Sequence, residues 1–316
     1  SAKEVEEVNK IDNEEEKDIN SMITNMSTDI IKRLESLLYI RTRIKSELPT
    51  NETLLENVLE FIPVFLNNVI EGQVMSNSTE HLNSYILGMA KDLRFFLDYD
   101  EGKYYNSIIL IYEQVIKVLD DKIEISSIFR MKESLVIKKL MLKLTQKDCT
   151  EAQYLSTIKF MIAYSSLHDG ALHLFEERIT TALISAHCLQ NLDEHEYYEI
   201  NERNSKHILW LWTLDLMRQL TSMLIHNSEF TYPLIGFVTA FEDRIMRVLQ
   251  FKGYIDGKKQ FKVFSIARLE EIEHTISLIS FMLMNFDQWK ANKIDQLERI
   301  INILFSFTVN LFQSNV

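Results

Sequence analysis

The residues that end helices and turn hairpins are scarce in this chain: 3 prolines and 7 glycines among 316 residues. Ordinary usage of the two together, about 12% of positions, would supply about 38. Proline removes a helical hydrogen bond and crowds the preceding turn, and glycine costs backbone entropy, so a chain nearly free of both can run as helix for long stretches. The expectation is an all-α protein of long helices joined by short polar turns.

The apolar spacing supports this. Leu54, Leu55, Val58, Leu59, Ile62, Phe65, Leu66, Val69 and Ile70 recur at the three- and four-residue steps of one helix face, with Pro63 placed to kink or break the run. Phe237, Val238, Phe241, Ile245, Val248 and Leu249 repeat the step, with Glu242, Asp243, Arg244 and Arg247 on the opposite side. Leu269, Ile272, Ile276, Ile279 and Leu283 repeat it again. Turn signals fall at Pro49, between Gly72 and Thr79, around Gly102, at His168-Asp169-Gly170 and between Gly253 and Lys259. Counting between them gives about eleven or twelve antiparallel helices, mostly of about 15 to 25 residues, with no alternating strand pattern in competition. No repeat consensus recurs, so the preferred architecture is an irregular α-solenoid with HEAT/ARM-like stacking, a compact helical bundle being the alternative.

Residues 1–20 read as an acidic flexible leader and 21–316 as one continuous helical solenoid. The first 18 residues carry eight acids against three bases and contribute −5 of the formal net charge of −12. They have too little apolar surface to offset the entropy of ordering. A chain that opens on Ser1 in this way reads as the C-terminal segment of a larger protein. The acidic balance, with nothing larger than the pairs Lys138-Lys139 and Lys258-Lys259 as basic runs, argues against direct nucleic-acid binding. Cys149 and Cys188 are too few for a secreted disulfide framework and too far apart for a CxxC motif, which points to a reducing compartment. The longest strongly apolar stretch, Ile300 to Phe312, is interrupted by Asn302, Ser306, Thr308 and Asn310 and is too short for a transmembrane segment.

Reactive constellations are incomplete. Gly253-Tyr-Ile-Asp-Gly257-Lys258-Lys259 lacks the spacing and the Ser/Thr of a phosphate-binding loop and reads as an interhelical turn. Histidines crowd from His168 to His207, but His168, His173, His187 and His195 do not pair at ligand spacing, even with Cys188 beside His187. Glu271-Ile-Glu-His274 is the sole ExxH, too little for a di-iron centre, and is expected on the solvated side of its helix. Asp120-Asp121-Lys-Ile-Glu124 resembles the magnesium-diphosphate motif of terpene synthases, yet the companion motif stops at Asn201 and Ser205 because position 209 is Leu. Ser156-Thr-Ile-Lys159 matches SxxK without its companions. The expectation is no enzyme, no cofactor and no metal.

Three segments carry a family resemblance. They are His207-Ile-Leu-Trp210-Leu-Trp212-Thr-Leu-Asp215-Leu216, then Phe237-Val-Thr-Ala-Phe241-Glu-Asp-Arg244-Ile245, then Arg268-Leu-Glu-Glu271-Ile-Glu273. A Trp-containing helix, a helix of the form FVxxxxxRI and one opening on Leu-Glu-Glu, in this order, resemble the C-terminal region of the very large inner-ring scaffold nucleoporins, the nucleoporin one-eighty-eight and one-ninety-two class. The resemblance implies an α-solenoid scaffold of the nuclear pore complex at the nuclear envelope, supporting protein and mRNA transport in the nucleus. Its implied partners are other nucleoporins, bound through amphipathic helices, with weak binding to phenylalanine-glycine repeats as a further expectation. The runner-up reading is a helical-repeat adaptor, such as a transport receptor or vesicle-tethering subunit, and the least favoured one a magnesium-dependent terpene-synthase-like enzyme.

A partner-binding surface is expected on the last helix. Ile294, Leu297, Ile301, Leu304 and Leu311 form a stripe that can dock it on its predecessor. Ile300, Ile303, Phe307 and Phe312 fall largely outside that stripe and are the candidate partner-binding residues.

Overall fold

Wherever the computed structural model describes the chain at length, the helical period appears as helix. It describes residues 102–118, 135–190, 205–249 and 266–284 continuously, and shorter patches or single positions within 56–67, 86–97, 129–130, 192, 254–255, 262–263 and 298–309. The leader at 1–20 lies outside the described residues. The chain divides into two compact units, Ser1–Ser134 and Leu135–Val316.

In the first unit, helix α1 spans Tyr105–Val118 and buries Ile108, Ile109, Ile111, Tyr112 and Val115. Tyr112 meets Phe129 edge-on, with ring centroids 5.4 Å apart, an arrangement that aligns the positive edge of one ring with the negative face of the other. Gln114 donates from Nε2 to Asn67 Oδ1 at 2.9 Å, so a polar residue on the buried face has a partner. Leu59, Ile62 and Leu66 of the predicted stripe are buried. Pro63 lies within helical residues 61–64, which run through it without a break.

The second unit holds α2 (Val136–Thr145), α3 (Glu151–Ser165), α4 (His168–Glu176), α5 (Ile179–Ile184), α6 (Ser205–Met223), α7 (Thr231–Ala240), α8 (Glu242–Leu249) and α9 (Ile266–Leu283). Its centre is α6, which packs most extensively on α3 and α9. It buries Leu209, Trp210, Leu214, Leu216, Met217 and Leu220. Tyr154 of α3 and Thr213 of α6 join the two helices through their hydroxyls at 2.8 Å. Thr150 caps α3 reciprocally: it accepts from the Gln153 backbone N–H at 3.2 Å while its own N–H donates to Gln153 Oε1 at 3.1 Å. Such a box is worth about 1 kcal/mol.

Most of these helices are shorter than the breaker count predicts. Only α3, α6 and α9, with 15, 19 and 18 residues, reach the expected length; α5 has 6 and α8 has 8. At two junctions of this unit the chain turns without Gly or Pro. Arg178 takes the left-handed conformation (φ 61°) between α4 and α5, and Phe241 (φ −110°, ψ 19°) separates α7 from α8, so the single FVxxxxxRI helix is two. Tertiary burial on both sides of each junction outweighs the local cost of these conformations.

Gly170 serves close approach instead of a turn. It sits in the first turn of α4, where a Cβ would lie 2.0 Å from the Tyr164 carbonyl oxygen. The segment after Gly253, expected as a plain turn, contains a two-stranded antiparallel ladder pairing Tyr254 with Val263 and Ile255 with Lys262. Tyr, Ile and Val suit such pairing. The protein is nonetheless all-α in class.

Candidate functional site

The three segments that carry the family resemblance converge on one place in the second unit. From α6 comes Trp210, fully buried, whose ring stacks on Phe237 of α7 at 6.1 Å and meets Phe241 at 4.9 Å; Phe237 and Phe241 are 5.0 Å apart. The break at Phe241 turns the chain so that α8 carries Arg244 inward, toward α9.

Arg244 forms a two-pronged ion pair with Glu271 of α9. Its Nε donates to Oε1 at 2.6 Å and its Nη2 to Oε2 at 2.9 Å, while Nη1 donates to the Leu192 carbonyl at 3.0 Å. Glu271 is 0% exposed and Arg244 only 5%. A buried carboxylate is tolerable because two charge-assisted hydrogen bonds replace its hydration. Arg268, also buried, donates to the Arg247 carbonyl at 2.9 Å and so satisfies an end carbonyl of α8.

This corrects two sequence expectations. Arg244 is not on the solvated side of its helix, and Glu271 of the ExxH run is a core residue. The buried face of α9 runs through Arg268, Glu271, Ile272, Thr275, Leu278, Ile279 and Met282. Leu269 of the predicted stripe is 49% exposed, and Ile276 and Leu283 are half-buried. Apolar spacing cannot reveal a polar side chain drawn inward by a partner 27 residues away.

His207, wholly buried on α6, lies 3.7 Å from Glu270 Oε2 and 3.9 Å from Glu271 Oε2. Burial lowers its basicity against the pull of the two carboxylates, and Arg244 lowers it further. Toward the edge of the same helix pair, His274 Nε2 meets Asp215 Oδ1 at 3.2 Å while its Nδ1 is held at 2.8 Å by the Glu270 carbonyl. Arg218 donates to the same Asp215 oxygen at 2.9 Å. The hydrogen bond to Asp215 raises His274, against the effect of burial. Burial pushes the Asp215 carboxyl up, but His274 and Arg218 outweigh it and hold it below 3.8. These groups are tied to one another in pairs across helices, an arrangement suited to clamping α6, α8 and α9 in one register.

The other singled-out residues fall apart in space or outside the described residues. Ser205 is exposed at the start of α6 and Leu209 is core, while Asn201, Asp120, Asp121 and Glu124 lie outside the described residues. Ser156 donates to the Ala152 carbonyl and Lys159 lies over the Trp212 ring at 5.0 Å, so the SxxK pair is divided between two other contacts. His173 is held at 3.0 Å from the Tyr164 hydroxyl. No group of three or more potential metal ligands occurs among the described residues.

Ile300, Ile303, Phe307 and Phe312, the candidate partner-binding residues, lie outside the described residues. On the same segment Ile301 is half-buried, and Phe305, which sequence spacing did not single out, is 70% exposed. Among the described residues no helix is long and apolar enough to cross a membrane.

Comparison with protein-family models, with curated proteins and with solved structures finds no match.

Proposed function

We propose that this chain is a scaffold segment of the nuclear pore complex inner ring, an irregular α-solenoid that binds short amphipathic helices of linker nucleoporins at the nuclear envelope and so supports nucleocytoplasmic transport. The observation that carries the reading is the meeting of its resemblance-bearing residues. Trp210, Phe237, Phe241, Arg244 and Glu271 come from the three resemblance segments, and the four helices that carry them bring together an aromatic trio, Trp210–Phe237–Phe241, and a buried ion pair, Arg244–Glu271. Shared apolar spacing alone gives no reason for an Arg and a Glu in two of those helices to be partners.

Helix-in-groove recognition needs fixed helix pairs with apolar grooves between them, and it needs no reactive group. The Arg244–Glu271 clamp supplies the fixed register on which a groove depends. The test is capture from nuclear-envelope extract by the full chain, read by mass spectrometry, with direct titration of the recovered segments as synthetic helices. Recovery of linker nucleoporins that bind saturably is the expected outcome. Recovery of transport cargo or vesicle-tethering components, with no nucleoporin, overturns the proposal.

A further inference from the structure

The chain has two cysteines, and the fold brings them together from 39 residues apart. Cys149 ends the turn between α2 and α3, next to the Thr150 cap, and Cys188 lies in the 3-10 turn His187–Leu189 that follows α5. Cys188 Sγ donates to the Cys149 carbonyl at 3.2 Å, while Cys149 Sγ donates to the Thr150 carbonyl at 3.7 Å, so the two residues pack directly against each other. Both are buried and both are free thiols. The Cys188 side is anchored by Lys206, whose Nζ donates to the Cys188 carbonyl at 2.8 Å and pairs with Glu151 at 3.6 Å. On the Cys149 side, Gln146, Lys147, Asp148 and Thr150 are all exposed, so this buried thiol belongs to a turn whose other residues face solvent.

We propose that Cys149 and Cys188 are a modification site, a thiol pair that hydrogen peroxide converts into an intramolecular disulfide tying the α2–α3 turn to the 3-10 segment leading toward α6. One sulfur, as thiolate, attacks a peroxide oxygen; the O–O bond breaks, water leaves after protonation, and a sulfenic acid remains. The second sulfur attacks the first, the S–O bond breaks and a second water leaves. Two thiols and one peroxide thus give one disulfide and two waters, the two electrons passing from sulfur to peroxide.

The environment sets the rate. Burial is the main reason that the Cys149 thiol is pushed up to about 12, and burial also raises Cys188 although Lys206 opposes it. Both sulfurs therefore rest protonated, and the first step waits on local opening of the exposed turn. Once one sulfur is oxidised, the other cysteine is its packing neighbour, and side-chain rotation brings the two sulfurs together.

The test exposes the full chain to hydrogen peroxide, quenches it in denaturant with a thiol-blocking maleimide, and reads the intact mass and the peptide map. The expected product is a monomer that has lost two hydrogens, takes up no maleimide, links the Cys149 and Cys188 peptides, and reverts with dithiothreitol. Closing a loop of 39 residues lowers the unfolding equilibrium constant by roughly 10²- to 10³-fold, so the oxidised form unfolds at higher urea. With Cys149→Ser, peroxide leaves a sulfenic acid on Cys188 that dimedone traps. Stable sulfinic acid on either cysteine of the unsubstituted chain, a disulfide between two chains, or crosslinking seen only in urea overturns the proposal. The mass of the unsubstituted protein decides the question even if the variant does not fold.

Discussion

Replacing Arg244 with Met removes a side chain that holds a wholly buried carboxylate through bonds of 2.6 and 2.9 Å and a backbone carbonyl through one of 3.0 Å. Breaking one side of a buried pair leaves the other charge without compensation and costs about 3–5 kcal/mol. The lower end applies here, because His207, 3.9 Å from the same carboxylate, can take up a proton and offset part of the loss. Replacing Arg244 and Glu271 together with Met removes both charges and their desolvation. The double variant is expected within about 1 kcal/mol of the parent once the Leu192 carbonyl finds water; since each single variant loses about 3 kcal/mol or more, the coupling energy is about 5 kcal/mol or more. The assay is urea unfolding followed by tryptophan fluorescence; Trp210, Trp212 and Trp289 all lie in the Leu135–Val316 unit, so the signal reports that unit. In the single Arg244→Met variant the His207 imidazole should also titrate higher by nuclear magnetic resonance, since Arg244 lowers it in the parent. A single variant that loses less than about 1 kcal/mol, or a double variant that loses the sum of the singles, refutes the clamp.

Two glycine substitutions should have opposite signs. Gly236→Ala, at an exposed helical site where a Cβ meets nothing within 4 Å, should stabilise by about 0.5–1 kcal/mol, whereas Gly170→Ala, with its Cβ 2.0 Å from the Tyr164 oxygen, should destabilise by at least about 2 kcal/mol in the same urea assay. The His274–Asp215 pair should contribute about 0.5–1 kcal/mol within a pH window. Because His274 is raised above 6.5, its share is complete below 6.5 and is lost as pH rises through the higher folded value; because Asp215 is held below 3.8, its share is complete above 3.8 and is lost as pH falls through the lower folded value. The stability gap between parent and His274→Gln should therefore be widest from about pH 4 to 6 and narrow toward pH 9, and a gap that widens with rising pH contradicts the assignment. Replacing Ile303 and Phe307 with Ser should weaken capture of linker nucleoporins while the thermal transition stays cooperative; loss of cooperativity identifies them as core.

The all-α class was legible because it follows from local terms that summing over the chain makes decisive: few breakers, helical apolar spacing and no period-2 segment. The buried stripe around Leu59, Ile62 and Leu66 was legible for the same reason. Helix ends were not. Arg178 and Phe241 adopt turn conformations that nothing in their identities announces, because the energy that holds them there comes from packing on either side. The site was half legible. Trp210, Phe237, Arg244 and Glu271 stood out as a pattern along the chain, but their burial did not, since a charged residue reads as solvated until its counter-charge is known. That Glu271 is core and Leu269 exposed, and that two cysteines 39 residues apart share a contact, are facts of tertiary pairing. The local sequence determines which residues can be helical; only the folded chain determines which polar atoms find one another, because the desolvation that makes such a pair costly alone and stable together exists only once the core has closed.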